Sequence, residues 1–520
     1  MQHRHPKLNI TRSAHRVIGV VMALFMTAQS TAAAADEEVS AMVAKHLDVH
    51  GSTMVEEFAE FLRLPNVSTN LDHMQKNADW IVDYIGKRGF TSEIVYAGRA
   101  PYIIAERSVE NAQATVLIYA HFDGQPVEPD NWATPPFEPT LKSTLGKNQT
   151  SLPWSAMTAP DMDWRIYARS AGDDKAPLIA LMHAIDALRA DGKDSRVNIK
   201  LFLDGEEEFG SPTLAEVLVD HANKLDADLM LFCDGPMHQS GRRQLVFGVR
   251  GDIGVDLTTY GANRPLHSGH YGNWSPHPTD AMMRLLTSLK DSESNILVKG
   301  YLDEVLPVTP AELTAISAMP LVDDTLKHSL QLGRTESNGE RIELAIMKPA
   351  INVVGFDAGG VGDQARNILL PTSRASLDLR LVPAQTVKGV KNALESHIAD
   401  AGFHIVREEP TAATLRRHPS VIKVNWTSGY PAYRSDLSGP AARKLAEILT
   451  RLEGQAPLMT PTMGGSLPIY RFDQVLDMPI VLLPIANHDN NQHGRDENIR
   501  LGNLYGAVGV FAALLTEFSQ

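Results

Sequence analysis

The sequence has a single cysteine, Cys233, in 520 residues, so no intrachain disulfide can form. Covalent cross-links are not needed at this length, because 43% of the residues are hydrophobic and can fill a large core. Cys233 ends an apolar run, which favours a buried thiol over a nucleophile. There is also no low-complexity segment, no repeat of fixed period and no long run of one charge sign. These absences exclude disordered and solenoid proteins and favour a globular chain of two domains.

Long hydrophobic runs are also missing, and after residue 35 no stretch is apolar enough to cross a membrane. The first 35 residues have the pattern of a secretory leader, with a basic start, an apolar run at 17–26 and small residues at 32–35. A membrane anchor is the alternative, but the apolar run is too short to span a bilayer comfortably. We therefore predict a signal peptide over 1–35 and an exported protein, periplasmic or secreted, without a stable membrane anchor.

The charge balance is acidic. The formal net charge is −14, and the leader holds four basic and no acidic side chains. The mature chain would therefore carry 44 basic and 62 acidic residues, a net charge near −18. Such a chain is a poor candidate for binding nucleic acid, which needs basic surface.

Helical periodicity alternates with short apolar runs between about residues 50 and 250. The runs cover 115–120, 197–203 and 228–233, and a fourth at 479–484 returns late in the chain. Alternation of this kind predicts an α/β fold with a mostly parallel sheet flanked by helices.

The middle of the chain has a different pattern. The segments 253–260 and 375–382 alternate as half-exposed strands do, and 280–289 is an amphipathic helix. We predict a smaller α+β domain at 249–435, inserted into a main domain formed by 36–248 and 436–520. The stretch 142–163 has no clear period and is predicted to be a long surface loop.

Polar side chains follow each apolar run. His121 and Asp123 follow the first run, and Asp204, Glu206, Glu207 and Glu208 follow the second. Asp234 follows the third run, and His493 comes in a short loop after the fourth. The carboxyl ends of parallel strands open on one crevice, where ligands bind, so we expect these side chains to converge.

Each of these residues has a structural explanation when taken alone. A lone histidine usually makes a local hydrogen bond, and an acidic residue after a strand can open a turn. Asp173, a further candidate, precedes the predicted helix 177–188 and could simply cap it. Their joint position at one rim is the stronger signal. Two histidines and several carboxylates without thiolates suit zinc or a similar divalent ion, and the excess of carboxylates favours two ions sharing a bridge.

Six motifs in order resemble those of the aminoacylase/carnosinase/carboxypeptidase G-type di-zinc metallopeptidases, over about residues 55–515. They are His121-Phe-Asp123, Tyr167-Ala-Arg169 with Asp173-Asp174-Lys175, Glu207-Glu208-Phe-Gly210-Ser211, Asp234, Gly464-Gly465-Ser466 and His493-Gly-Arg-Asp-Glu497. The segment His267-Ser268-Gly269 lies in the middle domain, as in that family.

The resemblance implies two zinc sites, although Co²⁺ or Mn²⁺ could take the same ligands. One site would be formed by His121, Asp173 and Asp234, and the other by Asp173, Glu208 and His493, with Asp173 as the bridge. Asp123 would fix the tautomer of His121. Glu207 would be the general base, which must not itself be a ligand. Three glutamates are consecutive here, so Glu206 could be the base and Glu207 the ligand instead. The Gly210-Ser211 that follows favours Glu207 as the base and Glu208 as the ligand.

By the same resemblance, the inserted domain would act as a lid and as the surface of a homodimer. His267 would stabilise the oxyanion, often in the partner's active site, and a local hydrogen bond is the alternative. Arg380 would clamp a substrate carboxylate by a bidentate pair, although a surface arginine on a strand is nearly as good an explanation. Ser466 would line the substrate end of the site.

The sequence departs from the family pattern at four positions. Glycine is usual where Ala168 and Ala176 stand, a bulkier residue where Gly124 stands, and the dipeptidases often carry histidine where Gly439 precedes a proline. The last departure argues against a carboxyl-terminal clamp identical to theirs. We expect an exported metallohydrolase of dipeptides or short peptides. The alternative is a deacylase of N-acyl amino acids with the same metal site, and a non-catalytic binding protein is disfavoured because every ligand position and Glu207 are present.

Overall fold

The computed structural model describes the backbone of residues 13–146 and 149–519, and the side chains of residues 38–146 and 149–519. The first twelve residues of the predicted leader, and the side chains of the rest of it, lie outside this description. Within the described part of the chain, no helix is both long enough and apolar enough to cross a membrane.

The described chain contains fourteen α-helices. They are α1 Ser13–Arg63, α2 Leu71–Gly86, α3 Ala176–Ala190, α4 Leu214–Leu225, α5 Ser268–Tyr271, α6 Pro278–Thr287, α7 Pro310–Ser317, α8 Asp323–Ser329, α9 Ile342–Ala345, α10 Val387–Asp400, α11 Ala412–Arg417, α12 Pro440–Glu453, α13 Ile469–Val475 and α14 Leu501–Glu517.

The same residues contain twenty β-strands. They are β1 Thr91–Tyr96, β2 Pro101–Arg107, β3 Thr115–His121, β4 Thr140–Lys142, β5 Arg165–Tyr167, β6 Asn198–Asp204, β7 Leu229–Phe232, β8 Gln244–Val246, β9 Gly248–Val249, β10 Gly251–Tyr260, β11 Leu266–His267, β12 Ala350–Asp357, β13 Ile368–Leu369, β14 Thr372–Leu381, β15 His404–Val406, β16 Val421–Tyr430, β17 Tyr433–Arg434, β18 Leu458–Thr460, β19 Ile480–Leu482 and β20 Asn498–Arg500.

Eight strands form the larger sheet, in the order β1-β2-β6-β3-β7-β19-β8-β18. Its centre is parallel, because β3 pairs in parallel with β6 and β7, and β7 with β19. These central strands are buried on both faces and are therefore almost wholly apolar. One face packs against α1, α3, α12 and α14, and the other packs against α4 and α13. The predicted α/β architecture is confirmed.

The second sheet has five strands in the order β12-β14-β10-β16-β15 and is antiparallel except at β15. Helices α6 and α10 cover one face, which supplies a separate apolar core. The chain leaves the main domain through β9 and returns through β17, and these two strands pair antiparallel. All five strands of this sheet lie within the segment predicted to be inserted, while the exact domain bounds stay a prediction.

The predicted surface loop at 142–163 is only partly a surface feature. It contains a 3₁₀ turn, Trp154–Thr158, from which Met157 is buried in the main core. Leu152 and Trp154 of the same segment pack against that core while partly buried. Cys233 is buried, as expected.

Candidate metal centre and active site

Four strands of the larger sheet bring the site together. His121 is the last residue of β3, and the 3₁₀ turn Glu207–Phe209 comes shortly after β6. Asp234 follows β7, and His493 lies in the loop after β19. Because these strands run parallel to their neighbours, their carboxyl ends meet at one edge of the sheet, as the sequence predicted.

The first cluster of possible metal ligands consists of His121, Asp173 and Asp234. Nε2 of His121 lies 2.8 Å from Oδ1 of Asp173 and 3.9 Å from Oδ2 of Asp234. All three side chains are buried, and each offers one ligand atom within 4.8 Å of the others.

The second cluster consists of Asp173, Glu208 and His493. Nε2 of His493 lies 3.2 Å from Oδ2 of Asp173 and 3.2 Å from Oε2 of Glu208. The three ligand atoms again lie within 4.8 Å of one another. Asp173 is therefore common to both clusters and offers one oxygen to each.

The donor set fits divalent metal ions. Among the described residues, Oδ1 of Asp234 is buried without a hydrogen-bond partner. Burial and then the charge of Asp173 raise the pKa of Asp234 to about 6 and that of Glu208 to about 8. Buried carboxylates at this density repel one another unless a cation lies between them. Nitrogen and oxygen donors without thiolates suit zinc and similar ions.

Asp123 holds both parts of the site in place. Its Oδ1 lies 3.3 Å from Nδ1 of His121. The same carboxylate accepts hydrogen bonds from the backbone N–H groups of Glu207 at 3.1 Å and Glu208 at 3.0 Å. It therefore orients the imidazole and fixes the turn that carries the two glutamates.

The three consecutive glutamates have different surroundings. The carboxylate of Glu206 is fully buried away from the clusters and accepts hydrogen bonds from the Tyr102 hydroxyl at 2.6 Å and the Thr213 N–H at 2.9 Å. Glu207 lines the cavity at the site, and Glu208 belongs to the second cluster. The geometry thus places Glu207 and Glu208 in the site and Glu206 outside it.

Glu497 is a site residue to which the sequence assigned no role. Its buried carboxylate accepts hydrogen bonds from the N–H groups of Ser170 at 3.0 Å, Gly172 at 2.9 Å and Asp173 at 3.0 Å, and it pairs with Arg169 at 2.7 Å. It therefore fixes the loop that presents Asp173. The available signal was its position at the end of the His493 motif.

A cavity of about 490 Å³ opens beside the two clusters. It is lined by Asp173, Glu207, Asp234, Gly235, Pro236, Arg380, Met463, Gly465, Ser466, Leu467, Gln492 and His493. Nη1 of Arg380, on the inserted domain, donates a hydrogen bond to Oγ of Ser466 at 2.9 Å. The two predicted substrate-binding residues thus reach the same cavity from different domains.

His267 is not brought to the site within one chain. Its side chain is exposed, its ring lies 4.6 Å from the ring of His270, and its Nδ1 accepts a hydrogen bond from the N–H of Gly269 at 3.1 Å. It does not line the cavity of about 490 Å³. Its predicted role stays a prediction that needs a second subunit.

Two of the departures from the family pattern have a local explanation. A Cβ atom at Gly124 would lie 2.5 Å from Oγ of Ser170 and 3.1 Å from Nδ2 of Asn66, so a bulkier residue there would require the Ser170 side chain to shift. Gly439 is the N-terminal cap residue of α12 and lines a separate cavity, not the cavity beside the two clusters.

A model of the sequences of peptidase family M20/M25/M40 matches residues 117–517, more than half of the chain. The chain belongs to peptidase family M20/M25/M40. The resemblance predicted from the motifs is confirmed, and the protein is a hydrolase, a metallopeptidase by family.

Known proteins similar to this M20 peptidase include dipeptidases. Beta-Ala-His dipeptidase of Homo sapiens is 25% identical over 428 residues, which cover 81% of this chain and 78% of that protein. Cys-Gly metallodipeptidase of Schizosaccharomyces pombe is 23% identical over 493 residues, which cover 91% and 97%.

Solved structures agree with the fold of this M20 peptidase. An M20 family metallo-carboxypeptidase from Sulfolobus solfataricus superimposes with a TM-score of 0.73 at 27% identity, covering 89% of this chain and 98% of that one. Human carnosine dipeptidase 1 superimposes with a TM-score of 0.70 at 23% identity, covering 92% and 99%, which supports the fold alone.

Proposed function

We propose that this M20 peptidase is an exported dipeptidase that cleaves dipeptides or short peptides with two zinc ions. The observation that carries the proposal is the pair of ligand clusters joined by Asp173, with Glu207 beside them on the wall of the same cavity. Relatives named as dipeptidases support the substrate class.

His121, Asp173 and Asp234 would hold one ion, and Asp173, Glu208 and His493 the other. Bound there, the ions would polarise the scissile carbonyl and make a water molecule more acidic. Glu207 belongs to neither cluster, so its carboxylate is free to take the proton of the attacking water and pass it to the leaving amine. Burial raises the pKa of Glu207, which makes its carboxylate a stronger base for the proton of water.

Arg380 and Ser466 would bind the carboxylate at the far end of the substrate. The guanidinium still has unused N–H groups after its hydrogen bond to Ser466, and a bidentate pair with a carboxylate is a strong contact. The cavity of about 490 Å³ has the size expected for a small-molecule site.

A homodimer formed by the inserted domains belongs to the same proposal. Strand β12 is at the edge of the five-stranded sheet, and its Val353, Val354 and Phe356 are exposed. An apolar edge strand of this kind is a ready surface for pairing with a second copy. The exposed His267 would then be available to the partner's site.

Export rests on the leader pattern at 1–35. It is tested by fractionating cells that express the full chain and determining the amino terminus of the enzyme by mass spectrometry. A start near residue 35 in the exported fraction supports export. An intact Met1 found only inside the cell would overturn it.

The deacylase alternative has the same metal chemistry and differs only in the substrate. The deciding experiment measures turnover of a dipeptide panel and of matching N-acetyl amino acids after loading the purified chain with zinc. We expect hydrolysis of dipeptides that is lost with a chelator and restored with zinc. Turnover confined to N-acetyl amino acids would replace the dipeptidase assignment with the deacylase.

A further inference from the structure

The face of the inserted sheet behind Arg380 carries two carboxyl groups that the proposed mechanism does not use. Asp252 on β10 lies directly opposite Arg380 on β14, and Asp378 precedes Arg380 by two residues on the same strand. Because side chains alternate along a strand, all three lie on one face. Ile253 and Leu379, between them, are buried in the core on the other face.

Asp378 holds the guanidinium of Arg380 directly. Nε of Arg380 donates a hydrogen bond to the Asp378 carboxylate at 3.1 Å, and Nδ2 of Asn352 donates to the same carboxylate at 3.1 Å. Nη1 of Arg380 reaches Ser466 across the cavity. A guanidinium has five N–H donors, so three remain, spread over Nη1 and Nη2. Within the described part of the chain these three have no acceptor in hydrogen-bond distance, and they can bind a carboxylate end-on.

Asp252 lies near Arg380 without a hydrogen bond to it. Its Oδ1 is 3.6 Å from Nε of Arg380 and has no hydrogen-bond partner among the described residues. Burial and then a hydrogen bond with Asp378 raise the pKa of Asp252 to about 6. Burial also acts to raise the pKa of Asp378, but hydrogen bonds from Asn352, Asp252 and Arg380 outweigh it and lower that pKa. Asp252 is therefore the carboxyl group of the two that takes up a proton first as the pH falls.

Tyr430 and Arg250, two of the other titratable groups around Asp252, keep a fixed charge near neutral pH. Tyr430 lies opposite it on β16, and burial raises the pKa of that phenol. Arg250, close to both Arg380 and Asp378, keeps its charge, since burial lowers its pKa only to about 10. The charges of Asp252 and Glu207 both act to raise the pKa of Tyr430. Asp252 is therefore the group beside Arg380 whose charge changes between about pH 5 and pH 8.

We propose that Asp378 and Asp252 are positioning residues for the carboxylate subsite, Asp378 aiming the Arg380 guanidinium into the cavity and Asp252 weakening carboxylate binding when it ionises. The inference rests on the proposed function, because it assumes that the substrate ends in a free carboxylate. Asp252 is neutral below about pH 6, where Arg380 keeps its net attraction for an anion. Above that pH a second negative charge lies beside the guanidinium and repels the substrate carboxylate.

The two positions predict opposite effects when each loses its charge. Asp378→Asn frees the Arg380 guanidinium to adopt other orientations. KM for alanylglycine therefore rises about tenfold, which corresponds to a loss of about 1.4 kcal/mol in binding free energy. KM for the carboxyl-terminal amide of alanylglycine hardly changes, because the amide has no carboxylate for Arg380 to bind. Asp252→Asn removes the repulsion, so KM for alanylglycine at pH 8 falls about three- to tenfold and its rise between pH 5 and pH 8 disappears. In both variants kcat for alanylglycine is nearly unchanged.

The experiment measures kcat and KM of the zinc-loaded full chain for both ligands from pH 5 to pH 8. Asp256→Asn is the matched control. Asp256 lies on the same face of β10, but its carboxylate accepts a hydrogen bond from the Ser376 hydroxyl at 2.6 Å, away from Arg380. Thermal unfolding confirms that each variant is folded. An unchanged ratio of the two KM values in Asp378→Asn, or a raised KM for alanylglycine in Asp252→Asn at pH 8, overturns the inference even if the enzyme is a dipeptidase.

Calorimetric titration of the same two ligands into the zinc-loaded Glu207→Gln protein, with and without each aspartate substitution, separates the inference from the proposed function. Absence of dipeptide turnover by the unmodified enzyme counts against the function alone. A tenfold weaker affinity for alanylglycine in the Asp378→Asn background, without weaker binding of the amide, supports the positioning role regardless of turnover. Equal loss for both ligands contradicts it.

Discussion

Asp123 accepts a hydrogen bond from the backbone N–H of Glu207, with 3.1 Å between N and Oδ1. The same carboxylate reaches His121, so one buried acid sets the distance between a metal ligand and the proposed base. Glu207 is therefore held by its backbone, and its carboxylate stays free to face the cavity. This arrangement makes the role of Glu207 separable from metal binding by mutation.

Glu207→Gln is expected to keep its metal and to lose turnover by about 10²–10⁴-fold, because an amide cannot take the proton from water. Mass spectrometry of the metal content tests whether the ions are kept, and kcat for a dipeptide measures the loss of turnover. Glu206→Gln is the matched control. It disturbs a buried hydrogen-bond network and costs about 1–3 kcal/mol of stability, but the folded fraction should turn over normally. Normal turnover in Glu207→Gln would remove Glu207 from the mechanism.

The shared position of Asp173 predicts unequal effects of ligand substitutions on metal content. Asp173→Asn takes an oxygen from both clusters, whereas Asp234→Asn takes one from the first cluster only. We expect Asp173→Asn to bind almost no zinc after dialysis and Asp234→Asn to keep about one ion of two. Mass spectrometry of the native protein gives the stoichiometry. Two tightly bound ions in Asp173→Asn would contradict a bridging role.

The strand ends could be predicted from the sequence because apolar runs and the polar residues after them are adjacent in the chain. The run 115–120 leads into His121, and the structure places that residue at the end of β3 as expected. Asp173 carries no such local signal, since an acid before a helix is common. Its predicted role as a ligand rests on the resemblance to a family, and the match to the sequence model of that family confirms the membership alone.

The hydrogen bonds of Glu497 could not be predicted from local sequence patterns. Its carboxylate reaches the N–H of Asp173, 324 residues earlier in the chain. A hydrogen bond between such distant positions depends on how the two loops pack, and neither segment alone encodes it. The contact between Arg380 and Ser466 is similar, because it depends on the position of one domain against the other.

Glu497→Gln tests the support of the Asp173 loop. The substitution leaves the buried Arg169 without its counter-charge and weakens the hydrogen bonds to three N–H groups. We expect a loss of about 3–5 kcal/mol in unfolding free energy and weaker zinc binding. Chemical denaturation with and without zinc gives both quantities. Unchanged zinc affinity would show that the loop keeps its shape without Glu497.

The exposed edge strand predicts a charge-sensitive dimer. Val354→Asp places a negative charge on the exposed edge strand β12 of both copies and should shift the chain towards monomer without unfolding it. Sedimentation at several concentrations measures this shift. Val219→Asp on α4, equally exposed but on the main domain, is the control. If His267 serves the partner's site, the monomeric variant should also lose turnover.

A buried histidine in the main domain predicts the acid sensitivity of the fold. Burial, followed by the charges of His183 and His50, lowers the pKa of His46 to about 4, below the usual 6.5. The unfolded chain therefore binds a proton that the folded chain does not, and stability falls as the pH drops from about 6.5 to about 4.

Glu57, which lies beside His183, makes the free energy of unfolding fall further at lower pH. Burial acts to raise its pKa, but hydrogen bonds from His183 at 3.0 Å and Tyr84 at 2.6 Å lower it to about 2. Its contribution to stability is present above about pH 4.5 and disappears as the pH falls towards 2. His46→Gln should flatten the dependence of unfolding free energy on pH between 6.5 and 4, whereas His328→Gln, on an exposed helix, should not. Denaturant unfolding at half-unit pH steps distinguishes them, and equal slopes in both variants would show that His46 does not set the acid sensitivity.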